Sequence, residues 1–134
     1  MNHKNFILIA EDDLDDQELI ASAFYRAAPG MDIEIVNDGR EALAFLKENP
    51  HLVPCLILLD YNMPELNGAQ VVQELSPLAH LSKIPKIIFS TSNNPVYIQD
   101  SLSKGAHSYK IKPHDFQSLI SIAREMVALC GNAA

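Results

Sequence analysis

Short apolar runs recur along the chain and alternate with longer amphipathic stretches. The runs are rich in isoleucine and leucine and lie at residues 6–9, 33–36, 56–59, 86–89 and 108–111. Their length favours strands, since helices of globular domains usually need at least about ten residues. The pattern therefore predicts five strands.

Between these runs, apolar residues return at the spacing of one helical face. The stretches at 20–27 and 116–127 carry them at i, i+3, i+4 and i+7, and shorter stretches at 42–46 and 71–75 repeat the pattern. Together with a helix that begins near residue 95, these stretches predict five helices.

Local signals mark several helix ends. Asn94 followed by Pro95 is typical of an N-cap and a first helical turn, and Gly105 lies where that helix should end. Asp115 can cap the last helix. Pro77 is expected to end or kink the third helix, because proline cannot continue it.

Alternating strands and helices imply the α/β class. Five strands and five helices in alternation predict a doubly wound parallel sheet with helices on both faces. No repeat, low-complexity tract or linker divides residues 1–134, so we expect a single domain. Only residues 129–134 follow the last predicted helix, and we expect no effector domain in this chain.

Composition and charge exclude several classes of partner. The 134 residues are 48% hydrophobic, and 10 Lys and Arg face 17 Asp and Glu, for a net charge of −7. An acidic chain lacks the basic stripe that nucleic-acid phosphates require, so we expect no nucleic-acid partner. No apolar run approaches the ~20 residues that span a bilayer, and no signal peptide is apparent. We therefore expect a cytoplasmic protein without membrane contact.

Two cysteines are too few for a disulfide framework. We expect Cys55, just before the third strand, to pack as a small hydrophobic residue, and Cys130 to remain a thiol in the tail.

Chemically distinctive side chains follow four of the predicted strands. Glu11, Asp12 and Asp13 follow the first strand, Asp60 the third, Ser90 the fourth and Lys112 the fifth. Parallel strands end at one edge of the sheet, where such folds bind ligands. Each residue alone has an ordinary explanation, such as a helix cap for Asp12 or Asp13, but their coincidence at one edge favours a functional site.

The chemistry of this set suits phosphoryl transfer. Three neighbouring carboxylates repel one another unless a proton or a cation joins them. Oxygen ligands without histidine or cysteine favour Mg²⁺. Lys112 and Ser90 could contact phosphoryl oxygens, and Asp60 could act as a nucleophile that forms an aspartyl phosphate.

At these residues the chain resembles the receiver domain of two-component response regulators, of the stand-alone type to which the chemotaxis regulator belongs. The resemblance covers residues 5–129 and rests on the acidic run at 11–13, the segment 58–68, Ser90 and the Lys112-Pro113 pair. It implies a flavodoxin-like strand order 2-1-3-4-5. The chain would then be a phosphoacceptor rather than an enzyme, apart from its own phosphorylation and slow autodephosphorylation.

The resemblance also implies a role for each site residue. Asp60 would accept the phosphoryl group and bind Mg²⁺ together with Asp13 and the backbone carbonyl of Asn62. Asp12 would hold the ion through water. The resemblance implies that Ser90 and Lys112 contact the phosphoryl oxygens. It also implies a conformational switch, in which Tyr109 turns inward as Ser90 moves toward the phosphoryl group.

Two departures from the commonest family pattern bear on the lifetime of the phosphorylated state. Thr91 stands where the family usually has alanine or glycine, and its bulk can hinder attacking water. Asn62 and Ser92 stand where the family tunes autodephosphorylation, and neither is an acid that activates water. A lifetime of minutes or longer is expected.

The implied partners are a sensor histidine kinase or phosphotransfer protein and a downstream protein target. The family's usual output surface is formed by the fourth helix, fifth strand and fifth helix, which would also mediate homodimerisation where it occurs.

Three alternatives remain open at this point. A haloacid-dehalogenase-type phosphohydrolase uses an aspartate nucleophile but needs an acid two residues later, where this chain has Asn62. A flavodoxin-like nucleotide or flavin binder needs a glycine-rich phosphate loop, which is missing. The third alternative is a degenerate receiver that acts only as a docking scaffold.

Overall fold

A computed structural model describes residues 5–130 as alternating strands and helices. The strands are β1 (Phe6–Ala10), β2 (Asp32–Val36), β3 (Leu56–Leu59), β4 (Lys86–Ser90) and β5 (Ser108–Ile111). The helices are α1 (Leu14–Ala27), α2 (Gly39–Glu48), α3 (Gly68–Leu75), α4 (Pro95–Ser103) and α5 (Phe116–Leu129). A single 3₁₀ turn covers Ala79–Leu81. Every predicted strand and helix is therefore confirmed.

The strands form one parallel sheet in the order β2-β1-β3-β4-β5. This confirms the predicted doubly wound, flavodoxin-like topology. Each strand is followed by a helix because parallel neighbours require a crossover connection.

Alternation along the central strands divides the core into two layers. In β3, Leu56 and Leu58 face the layer formed by α1 and α5, whereas Ile57 and Leu59 face the layer formed by α2 and α3. Successive side chains of a strand point to opposite faces, so a strand buried on both sides must be apolar throughout.

Capping residues begin the helices where the sequence predicted. The Asn94 side chain accepts a hydrogen bond from the Val96 N–H at the start of α4, and Asp115 does the same for Ser118 in α5. Gly105 follows α4 with φ 109°, a conformation that favours glycine.

Cys55 packs against the core as expected, but the expectation of a free thiol at Cys130 is wrong. Cys55 and Cys130 form a disulfide, with their Cα atoms 4.9 Å apart and a sequence separation of 75. The parallel topology carries the end of α5 back to the start of β3, and Cys130 is buried there rather than free in a tail. Among residues 5–130, no helix has the length and hydropathy needed to cross a membrane.

Candidate functional site

The ends of four strands bring the predicted polar residues to one edge of the sheet. Glu11 follows β1, Asp60 follows β3, Ser90 ends β4 and Lys112 follows β5. Backbone bonds continue past the strands: the Asp60 N–H donates to the Ala10 carbonyl at 3.1 Å. The Lys112 N–H donates to the Ser90 carbonyl at 2.8 Å. The strand ends are therefore held in register where the side chains emerge.

Three carboxylates converge at this edge. Glu11, Asp12 and Asp60 each offer an oxygen, and these oxygens lie within 4.8 Å of one another. Glu11 is buried, Asp60 is half-buried and Asp12 is exposed, so the cluster is open on one side. Oxygen donors alone, with room for water, fit a hard divalent cation such as Mg²⁺.

The membership of this cluster differs from the predicted set at Asp13. Its side chain accepts the Asp16 N–H at 2.9 Å and caps α1, and Asp13 is not among the clustered acids. Glu11 takes its place: it is the residue that directly follows β1, and one of its oxygens accepts the Asp13 N–H at 3.1 Å. Asp12 is a member as predicted.

Lys112 is the buried cation of the site. Its Nζ lies 2.6 Å from Glu11 Oε1, 3.0 Å from Asp16 Oδ2 and 3.6 Å from Asp60 Oδ2. Only 8% of the residue is exposed. Paired burial of this kind stabilises opposite charges that would be costly to bury alone. Asp16 is a contact that the sequence analysis missed.

The acids and the lysine of the site shift one another's pKa values. Burial raises the pKa of Glu11 from 4.5 to about 7, although the neighbouring Lys112 lowers it. Burial likewise raises the pKa of Asp60 against the opposing effect of Lys112. Burial works against the charge of Lys112, but the Asp60 and Glu11 carboxylates raise its pKa above the ordinary value. The site therefore holds Lys112 as a cation.

These shifts predict how stability depends on pH in the absence of divalent metal. Between pH 4.5 and about 7 the folded chain binds more protons at Glu11 than the unfolded chain, so the free energy of unfolding should fall as pH rises through this window. The expected loss is about 2–3 kcal/mol. Urea unfolding in EDTA on both sides of the window measures it. Glu11→Gln should flatten the slope, and a free energy that rises across the window would contradict this prediction.

The β4–α4 loop carries the remaining predicted residues. The Ser90 side chain is buried, and its Oγ accepts the Ser92 N–H at 3.2 Å. Thr91 is exposed. The Tyr109 hydroxyl donates to the Ser92 carbonyl at 2.7 Å, which ties β5 to this loop. Asn62 is exposed near Asp60, and its backbone N–H lowers the pKa of the Asp60 carboxyl.

Gly68 sets the space behind Asp60. Its N–H donates to the Tyr61 carbonyl at 2.9 Å. A Cβ at this position would lie 2.5 Å from the Asp60 carbonyl oxygen and 2.8 Å from Ile88 Cδ1. Only a residue without a side chain allows α3 to begin this close to the loop.

Gly68→Ala is therefore expected to destabilise the fold by about 1–3 kcal/mol, because backbone must move to admit the methyl group. Urea unfolding measures the change. Gly30→Ala is the matched control, since no heavy atom lies within 4 Å of a Cβ there. Equal stability of the two variants would show that the loop yields without cost.

Comparison with known proteins agrees with this geometry. A family model described as the response regulator receiver domain matches residues 7–124. The probable methanogenesis regulatory protein FilR2 of Methanothrix harundinacea is 30% identical over 123 residues, which cover 90% of this chain and 79% of the relative. Response regulator Rcp1 of Synechocystis sp. is 28% identical over 127 residues, which cover 92% and 86%.

Solved structures show the same likeness. The phosphorylated cyanobacterial phytochrome response regulator RcpA superimposes with a TM-score of 0.85 at 30% identity, covering 98% of this chain and 96% of that one. The Mn²⁺-bound form of Rcp1 gives a TM-score of 0.80 at 26% identity, covering 97% and 96%. The family model spans most of the chain, and the chain therefore belongs to the response regulator receiver domain family.

Proposed function

We propose that Asp60 accepts a phosphoryl group from a sensor histidine kinase or a phosphotransfer protein, within two-component signalling. The observation that carries this proposal is the position of Asp60 Oδ2, 3.6 Å from the buried Lys112 ammonium and beside the acids Glu11 and Asp12. A carboxylate nucleophile needs nearby positive charge to offset the charge of an incoming phosphoryl group.

The proposed step exchanges one bond to phosphorus for another. An Asp60 carboxylate oxygen attacks the phosphorus of a phosphohistidine, the oxygen–phosphorus bond forms and the nitrogen–phosphorus bond breaks. The electron pair of the broken bond stays on the imidazole nitrogen, which then takes up a proton from water. Lys112 stays charged throughout and attracts the phosphoryl oxygens, as a point charge on a flexible stem does well.

Mg²⁺ is the proposed cofactor, held by Asp12 and Asp60 with Glu11 close by, and when bound it would offset charge on the phosphoryl oxygens. The Asn62 carbonyl is the proposed third protein ligand. The Mn²⁺-bound form of Rcp1 supports a divalent cation in this family. We keep Asp13 out of this set, because its side chain caps α1.

Ser90 and Tyr109 are the proposed switch. The Ser90 hydroxyl would turn to the phosphoryl group, and the bond between the Tyr109 hydroxyl and the Ser92 carbonyl, 2.7 Å long, links β5 to any movement of the loop. Thr91 would border the phosphoryl group. We propose that this movement alters the surface of α4, β5 and α5, which would bind a downstream protein or a second copy of the chain.

The remaining properties follow as parts of the same proposal. The chain would work in the cytoplasm, where histidine kinases present their phosphohistidine, and would bind neither nucleic acid nor membrane. Its net charge of −7 supports the first of these absences. A phosphohydrolase is disfavoured because Asn62, two residues after Asp60, has no acid to protonate a leaving group.

Intact mass after incubation with Mg²⁺ and acetyl phosphate tests the proposal. We expect a gain of one phosphoryl group that is absent from Asp60→Asn and absent in EDTA. Asp15→Asn, a substitution in the first turn of α1 that removes the same charge, is the control and should still be phosphorylated. A wild-type chain that gains no phosphoryl group from acetyl phosphate or from a histidine kinase would overturn the proposal and favour a docking scaffold.

The phosphorylated state is predicted to last minutes or longer. Neither Asn62 nor Ser92 is an acid that can activate an attacking water, and Thr91 adds bulk beside the pocket. Decay of the phosphorylated mass after removal of acetyl phosphate measures the lifetime. Asn62→Asp, which adds a general base, should shorten it about tenfold or more, and decay within a few seconds in the wild type would contradict the prediction.

A further inference from the structure

Tyr61 joins the loop after β3 to α4. It directly follows Asp60 and is only 7% exposed. Its ring stacks on that of Tyr97, with centroids 4.3 Å apart and planes 15° from parallel. Its hydroxyl donates to Asp100 Oδ2 at 2.8 Å. One side chain thus makes two different contacts with the same helix.

The backbone of Tyr61 lies next to the acceptor itself. Its N–H lowers the pKa of the Asp60 carboxyl, and its carbonyl accepts the Gly68 N–H at 2.9 Å. Tyr61 is therefore fixed at one end to the proposed site of phosphorylation and at the other end to α4. The contact with Asp100 spans 39 residues of sequence.

The chemistry of the α4 end keeps this contact intact across the physiological pH range. Lys104 pairs with Asp100 and, with the Tyr61 hydroxyl, lowers the pKa of that carboxyl, so it stays an anion. Burial, together with the hydrogen bond to Asp100, raises the pKa of Tyr61 to about 12, so its hydroxyl stays a donor. Hydrogen bonds to a charged acceptor are stronger than those between neutral groups.

We propose that Tyr61 is a positioning residue that transmits the state of Asp60 to α4 through its ring contact with Tyr97 and its hydrogen bond to Asp100. This rests on the proposed function. Phosphorylation bonds one carboxylate oxygen of Asp60 to phosphorus, which changes the charge and the atoms beside the Tyr61 N–H. Because the ring is rigid and held at two points, displacement of the loop is passed to α4. This route uses contacts other than the hydrogen bond between the Tyr109 hydroxyl and the Ser92 carbonyl.

Amide chemical shifts in α4 provide the test. The full chain is compared before and after addition of Mg²⁺ with beryllium fluoride, a phosphoryl analogue, in wild type and in Tyr61→Phe. Phenylalanine keeps the stacking but removes the hydroxyl. Loss of a hydrogen bond to a charged acceptor changes an equilibrium ratio about tenfold, so the shift changes in α4 should fall to about half or less. Those at Ser90 should persist.

Two further variants separate positioning from a general effect on folding. Asp100→Asn keeps an acceptor without the charge, so its shift changes in α4 should lie between those of wild type and Tyr61→Phe. The double variant Tyr61→Phe with Asp100→Asn should show shift changes no smaller than those of Tyr61→Phe alone, because the two residues share one contact. Tyr25→Phe, on an exposed residue of α1, is the control and should match wild type.

The outcomes distinguish this inference from the function on which it rests. Wild type that neither gains mass with acetyl phosphate nor changes its spectrum with beryllium fluoride would overturn both. A wild-type response that Tyr61→Phe reproduces in full at α4 would overturn the role of Tyr61 alone.

Discussion

Lys112→Met should lower the rate of phosphoryl transfer to Asp60 by about two to three orders of magnitude, the usual effect of removing a charge that stabilises a transition state. Nζ is a buried cation within 3.6 Å of Asp60, and methionine fills similar space without charge. The pKa values of Glu11 and Asp60 should rise further, because Lys112 now lowers both. Phosphorylated mass against time, with Mg²⁺ and acetyl phosphate, measures the rate.

Lys110→Met is the matched control for that experiment. Lys110 lies in β5, two residues before Lys112, and its ammonium is 3.6 Å from Glu125 on α5, whereas the acids of the candidate site pair with Lys112. The control loses the same formal charge and should be phosphorylated at the wild-type rate. A Lys112→Met chain that is phosphorylated as fast as Lys110→Met would mean that the buried ammonium has no part in the transfer.

The alternation of strands and helices could be predicted because local pattern alone specifies it. A four-residue apolar run such as Leu56–Leu59 is too short for a helix, and its neighbours carry helical spacing and capping residues. The order of the strands has another source. Alternation predicts a parallel sheet but does not say which strands are neighbours, and the order 2-1-3-4-5 came from the resemblance to receiver domains.

Where most residues of the candidate site lie in the fold could be predicted. Since parallel strands end at a common edge, Asp60, Ser90 and Lys112 were located by their place after apolar runs. The difference between the predicted and observed cluster lies in the run of three acids at 11–13. These residues are chemically alike, and only the direction in which each side chain points decides which of them joins the cluster. Asp13 adopts an extended backbone and caps α1, while Glu11 continues the direction of β1 into the site. The N-cap position before α1 was the available signal, because a residue that caps the helix has one carboxylate oxygen directed to the helix backbone.

Contacts between distant elements could not be predicted in the same way. The Tyr61–Asp100 hydrogen bond and the Cys55–Cys130 disulfide join residues that no local pattern relates. Each contact depends on where a helix packs against the sheet, and tertiary packing determines that position. The sequence shows the side chains but not the helix position that brings them together.

Opening the Cys55–Cys130 disulfide should lower the free energy of unfolding by about 4 kcal/mol, because the bond closes a long loop and restricts the unfolded chain. The two cysteines are 75 residues apart. For a domain of this size the midpoint of thermal unfolding should fall by about 10 °C or more. Thermal unfolding with and without dithiothreitol measures the difference.

The double variant Cys55→Ser with Cys130→Ser separates the cross-link from other effects of the reductant. It should unfold near the midpoint of the reduced wild type, and dithiothreitol should not change it further. Cys55 precedes β3 and Asp60 follows it, so the disulfide lies at the opposite end of that strand from the proposed site. Acetyl phosphate should therefore still phosphorylate both the reduced wild type and the double serine variant. If dithiothreitol leaves the wild-type midpoint unchanged, the cysteines are free thiols in solution, as composition alone led us to expect, and the end of α5 is held to β3 by packing alone.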